Sequence, residues 1–172
     1  SRVTDNLYLA PNTLTQRMEG PECSGIVKMD ISHMKDGDIA GFSAFNGDAG
    51  VVKIVKDGKK VFVVADSQNV ELTDKEKRVT KVDVTESYRQ QLRKQKEIYF
   101  RIDANFLPGK DVADFYYSTD GKDWVKVLEG YKMIFDYRRF FMGSKFAIFN
   151  YATKKTGGYV DIDWFNYSKS EK

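Results

Sequence analysis

The stretch FFMGSKFAIFNYATKKTGGYVDIDWFNY, residues 140–167, decides the fold. It holds two runs of strand length, rich in aromatic and β-branched residues, that meet at Thr156-Gly157-Gly158. Phe140, Phe141, Phe146, Phe149, Tyr151, Tyr159, Trp164, Phe165 and Tyr167 supply its rings, with Tyr137 just upstream. A strand sends alternate residues to opposite faces, so rings at both parities exceed what one core face needs. The surplus face carries Asn150, Asp161 and Asp163 and reads as a platform for something flat and neutral.

Outward from this stretch, similar runs recur at 12–18, 25–34, 39–45, 50–56, 59–65, 78–84, 97–104, 112–118, 124–128, 139–151 and 158–168, each closed by turn residues. Short strands in this number within one domain, 1–172, predict an all-β sandwich of two antiparallel sheets. Asp57-Gly58 between VVKIVK and KKVFVVA specifies a tight hairpin, and Asp120-Gly121 before Trp124 specifies another. The exception is 72–96, crowded with Lys, Arg, Glu, Asp and Gln. There Thr85 to Lys94 is compatible with one short helix, Tyr88 and Leu92 sharing a face at i, i+4, or with a solvated excursion between strands.

Composition narrows function. The 28 basic and 25 acidic residues leave a net charge of +3, a mixed surface unlike the one-sided basic field that nucleic acid demands. No apolar run approaches the roughly 20 residues needed to span a bilayer, and no signal peptide is present in the chain. Neither nucleic acid nor a membrane is therefore expected as a partner.

A single His33 and a single Cys23 exclude a histidine-dependent triad, a zinc site built on several thiolates and an internal disulfide. His33 follows the core-like parity of Val27, Met29 and Ile31 and reads as a packed or edge residue, and Cys23 as a small turn or core residue. Gly157-Gly158 has no helix behind it, so it is not a phosphate loop.

Asp161 and Asp163 stand two apart on a predicted strand, with α-carbons about 6 to 7 Å apart on one face. That spacing allows a glycosidase acid and base pair, an oxygen-ligated cation such as calcium at Asp163, or plain solvated carboxylates. Aromatic residues make 14% of the chain, and rings interspersed with Asn, Asp, Gln and Arg suit sugars, whose hydrocarbon faces lie on rings while their hydroxyls need fixed partners. Alternation marks Gln16 or Arg17, Lys28, Asp30, Arg101 and Asp103 as outward polar positions, and lets only one of Tyr116 and Tyr117 face the core.

Ordered blocks along the chain carry a family resemblance: NTLTQRMEGP at 12–21, MxxGDIAG at 34–41, FYYSTDGKDW at 115–124, FMGSKFAIFN at 141–150 and GGYVDIDWF at 157–165. Together they resemble the C-terminal concanavalin A-like jelly-roll β-sandwich of family 43 glycoside hydrolases, the β-xylosidase and arabinofuranosidase group. The resemblance spans about Tyr8 to Tyr167. It implies a noncatalytic, xylan-binding-type accessory module that follows a five-bladed β-propeller carrying the catalytic carboxylates, in a periplasmic or secreted bacterial enzyme. It also implies xylan or xylo-oligosaccharide as ligand, with structural calcium as the one candidate cofactor. The family's sandwich usually begins well before the Asn12 block, with a tryptophan-bearing segment not seen here, so the chain reads as a fragment of a larger glycosidase and one sheet edge stays open.

The expected sugar contacts are Gln16, Arg17, Arg101, Tyr116, Asn150, Tyr151, Tyr159 and Asp161. Two other readings stand beside this one: a sandwich glycosidase using Asp161 and Asp163, and a structural domain that docks on the propeller without a sugar site of its own.

Overall fold

A computed structural model describes residues 3, 4, 7, 10, 12–72, 79–133 and 143–170. The expectations for Tyr8, Tyr137, Phe140, Phe141 and the start of the strand at 139 lie outside them. The described chain forms eleven strands: β1 Asn12–Arg17, β2 Glu22–Asp30, β3 Asp38–Phe45, β4 Ala49–Asp57, β5 Lys60–Leu72, β6 Val79–Leu92, β7 Glu97–Asn105, β8 Val112–Ser118, β9 Val125–Lys132, β10 Lys145–Ala152 and β11 Asp161–Lys169. They build a six-stranded sheet in the order β1-β10-β3-β4-β5-β6 and a five-stranded sheet in the order β11-β2-β7-β8-β9. Pairing between strands is antiparallel throughout. No helix among the described residues is long and apolar enough to cross a membrane.

Alternation explains the packing. In β2 and β7 every second residue is buried, so Val27, Met29, Ile98, Phe100 and Ile102 face inward from the five-stranded sheet. Phe42, Val52, Ile54, Val63 and Phe146 meet them from the six-stranded sheet. Tyr117 is buried with this core, whereas Tyr116 takes the outer face. Cys23 is a free, buried core thiol.

The outer face of the six-stranded sheet is also covered. Ala49, Val51, Phe149 and Tyr151 form a second apolar cluster there, with Leu7 packed against them. Tyr151 is only 4% exposed, and its burial pushes the phenol well above its ordinary pKa. This corrects its expected place on the sugar platform: Asn150 and Tyr151 are neighbours on a strand, and the face that receives the tyrosine is buried.

The charged segment after residue 78 is strand, not helix. β6 runs to Leu92 as the edge of its sheet, where Lys, Arg and Glu side chains blunt an unpaired edge. Tyr88 and Leu92 share a face at period 2 as well as at i, i+4, so the spacing did not discriminate. Tyr88 packs against Tyr117 with ring centroids 6.1 Å apart. Ser87 Oγ lies within hydrogen-bond distance of the Ala65 and Val127 carbonyls, at 3.1 and 3.2 Å.

Both predicted hairpins form. Asp57 pairs with Lys60, which leaves Gly58 and Lys59 as the two-residue turn, with Gly58 at φ 61°. At the other, Asp120 Oδ1 accepts hydrogen bonds from the Lys122 and Asp123 amides and from Ser118 Oγ. Led by the Asp123 amide, these donors pull the Asp120 carboxyl from its ordinary 3.8 to about 2. The folded pKa is depressed, so its contribution to stability is fully present above pH 3.8 and is lost as pH falls through about 2. A carboxyl NMR titration should place the Asp120 midpoint near 2, and Ser118→Ala, which removes one donor, should raise it.

Candidate functional site

The sandwich opens where β1, the edge of one sheet, lies beside β11, the edge of the other. A cleft of about 440 Å³ runs along this opening. Leu14, Ile148, Val160 and Ile162 form its apolar lining, and Asn12, Thr13, Asn150 and Tyr159 its polar part. A second hollow of about 150 Å³ shares Leu14, Ile148 and Ile162 and extends to Gln16. All six β1 residues are exposed, and Leu14 is 63% exposed despite its inward parity opposite Ile148.

Asn12 and Asn150 are directly opposed across the β1–β10 ladder. Neither side-chain amide has a hydrogen bond among the described residues. Each therefore offers donors and an acceptor to whatever enters the cleft.

Tyr159 is 48% exposed and stacks on the His33 imidazole, ring centroids 4.5 Å apart and planes within 11°. The Tyr159 amide donates to the His33 carbonyl at 3.2 Å, so ring and backbone are both tied to the β2–β3 corner. The preceding glycines make this possible. Gly157 has φ 116°, and a β-carbon on Gly158 would collide with the Asp38 carboxylate. Asp38 Oδ2 is itself held by the Lys35 amide at 2.8 Å.

The expected sugar residues divide among separate places. Asn150 and Tyr159 come together in the cleft, and Gln16 lines its far end. Arg17 is exposed at the opposite parity of β1. Arg101 and Tyr116 lie on the outer face of the five-stranded sheet: the Arg101 guanidinium is 5.6 Å from the Tyr116 ring and 5.9 Å from Trp124. Lys126 lies 5.7 Å from Tyr116. Arg101 Nε also donates to Asp103 Oδ1 at 2.8 Å. Two cations thus lie near the Tyr116 ring, and Arg101 also lines a hollow of about 480 Å³ with Ser24, Asp103 and Asp114, apart from the β1–β11 cleft. On the same face the Tyr99 and Trp164 rings lie 6.1 Å apart, a pair that reading the sequence did not single out.

Asp161 and Asp163 are separated by a bulge. The register shifts between Ile162 and Trp164, so the strict alternation expected to set the two carboxylates on one face breaks at Asp163. Asp163 Oδ2 lies 3.5 Å from Lys28 Nζ, which also reaches Glu97 at 3.4 Å. The Lys28 ammonium thus supplies a countercharge to Asp163, the residue expected to face calcium. Asp161 instead joins Asp30 and His33, with ligand atoms within 4.8 Å of one another. Asn12, Leu14 and Ile162 were missed as members of the cleft, and His33 as the ring that backs Tyr159, because the partners that create it are remote in sequence.

Comparison with known proteins accords with this architecture. The profile of the β-xylosidase C-terminal concanavalin A-like domain matches residues 2–168. A β-xylosidase of Formosa agariphila is 25% identical over 165 residues, 94% of this chain and 24% of the relative. The solved structure of a family 43 glycoside hydrolase engineered to display both endo-xylanase and exo-arabinofuranosidase activity superposes with a TM-score of 0.88 at 31% identity, over 97% of this chain and 32% of the other. A bifunctional GH43-CE protein of Bacteroides eggerthii gives 0.81 at 33% identity, over 100% of this chain and 20% of its own. The chain thus spans a third or less of these multidomain relatives. It belongs to the family of C-terminal concanavalin A-like domains of β-xylosidases, the accessory part of family 43 glycoside hydrolases.

Proposed function

We propose that this domain is a noncatalytic carbohydrate-binding module that holds xylan or xylo-oligosaccharide in the β1–β11 cleft beside the catalytic propeller of its parent enzyme. The supporting observation is the amphipathic make-up of the cleft: a half-exposed Tyr159 ring backed by His33, two unpaired amides at Asn12 and Asn150, and an aliphatic floor. A pyranose needs that combination, a flat apolar surface for its ring and fixed polar groups for its hydroxyls. The relatives' xylan-related activities support the choice of sugar. A parent enzyme that degrades xylan acts where the polymer is, so the domain is assigned to the periplasm or the exterior.

A second reading, docking on the propeller without sugar, is favoured by one observation: the exposed apolar edge at Leu14. Calorimetric titration with xylohexaose separates the two. The sugar reading expects saturable heat and a loss of about tenfold in affinity, about 1.4 kcal/mol, for Tyr159→Ala or Asn150→Ala. No heat at millimolar sugar would remove the sugar reading, and binding of a separately expressed propeller would then support docking.

A further inference from the structure

We infer that Asp30, His33 and Asp161 form a binding site for a divalent metal cation of the zinc class, placed directly behind the Tyr159 ring. The three residues come from three segments: the end of β2, the β2–β3 corner and the start of β11. One ligand atom from each lies within 4.8 Å of the other two. Zinc bonds of about 2.1 Å put donors about 3.4 Å apart in a tetrahedron, so small rotations of these side chains close the set.

The charge distribution on the strands points the same way. Asp30 and Asp161 are direct partners in the β2–β11 ladder, and like charges directly opposite each other destabilise a pair of strands. The neighbouring carboxylates, Glu97 and Asp163, share the Lys28 ammonium. Asp161 has no hydrogen bond or ion pair among the described residues. Lys96 acts on Asp30 from outside the ladder, and a cation between the two carboxylates supplies the countercharge that Asp161 lacks.

The histidine is prepared for it. Ser32 Oγ donates to Asp30 Oδ1 at 2.5 Å and lies 3.2 Å from His33 Nδ1. With its proton committed to the carboxylate, the hydroxyl accepts from Nδ1–H, a tautomer in which Nε2 carries the ring's free lone pair. The Ser32 amide also holds Asp30 Oδ1, at 2.9 Å, so that carboxylate keeps Oδ2 for ligation.

One imidazole nitrogen and two carboxylate oxygens suit zinc, cobalt or nickel, whereas calcium takes six to eight oxygens. Three protein ligands leave a coordination position open to water. The ligated imidazole is the ring on which Tyr159 stacks, so the metal stiffens one wall of the cleft. That consequence rests on the proposed sugar site; the metal site itself does not.

The test uses the full chain after dialysis against a chelator, with no sugar present. Titration with Zn²⁺ should give one-to-one heat, and Co²⁺ should give visible ligand-field absorption. His33→Ala and Asp161→Asn should each weaken Zn²⁺ binding by about tenfold or more. Both positions are exposed, so circular dichroism should be unchanged. Absence of Zn²⁺ heat, unchanged affinity in both variants, or a preference for Ca²⁺ over Zn²⁺ would overturn the site. Because sugar is absent, failure of xylohexaose to bind leaves this result untouched.

Discussion

Replacing Phe42 with alanine is expected to lower the free energy of unfolding by about 3–5 kcal/mol, the usual cost of deleting a fully buried ring. Phe42 has no exposed surface. It stacks on Phe146 of its own sheet at 5.4 Å and meets Phe165 of the opposite sheet edge-on at 5.9 Å. The ring is therefore a joint between the layers, and its loss leaves a hole that neither rigid sheet collapses to fill. Gly25 sharpens the test. A β-carbon there would lie 2.8 Å from Phe42 Cζ, so Gly25→Ala should destabilise the native protein but cost less, or help, once Phe42 is alanine. Guanidinium denaturation of the four members of this cycle measures both effects. A Phe42→Ala cost below about 1 kcal/mol, or additivity in the cycle, would mean that the two sheets do not pack through this ring.

The same ring shows what the sequence could disclose. Phe42 sits in IAGFSAF, residues 39–45, between turns that each hold a glycine, and runs of this kind located the described strands, although β5 continues to Leu72 and β6 to Leu92, well past the ends expected at 65 and 84. Period-2 patterning is a local signal, and most strands here carry it. The candidate site was less legible because its parts meet only through pairings distant in sequence. Asn12 opposes Asn150, and Asp30 opposes Asp161, across ladders that no local pattern specifies. The bulge at Asp163 was invisible for the same reason: alternation predicts a face only while register holds. Tyr151 failed differently. The expectation assumed that a sandwich has one buried face per sheet, but Leu7, Ala49, Val51, Phe149 and Tyr151 make a second apolar layer over the six-stranded sheet. The family resemblance supplied the fold's name and the family. It did not say which face of the sandwich is open.

Under that second layer lies the other large expected effect. Lys53→Ala should destabilise the domain by about 3–5 kcal/mol, because it strands a buried carboxylate. Lys53 Nζ lies 2.6 Å from Asp66 Oδ2, with side-chain exposures of 12% and 1%. The other carboxylate oxygen accepts from Gln68 Nε2 at 2.9 Å, so Lys53 and Gln68 are the direct partners of Asp66, with the Arg89 guanidinium acting on it from farther away. Water cannot replace the lysine at a side chain so covered. The surroundings are already short of partners: Ser43 Oγ and Gln68 Oε1 are buried without a hydrogen bond. Removing both charges with Lys53→Met and Asp66→Leu should therefore cost much less than the sum of the single changes, since the desolvation of each ion disappears with the ion. A double-mutant cycle followed by equilibrium unfolding reads the coupling directly. Strong non-additivity identifies this face as a dry interior. Additive, sub-kilocalorie changes would mean that water reaches Asp66 and that the outer face of the six-stranded sheet is an open surface rather than a second core.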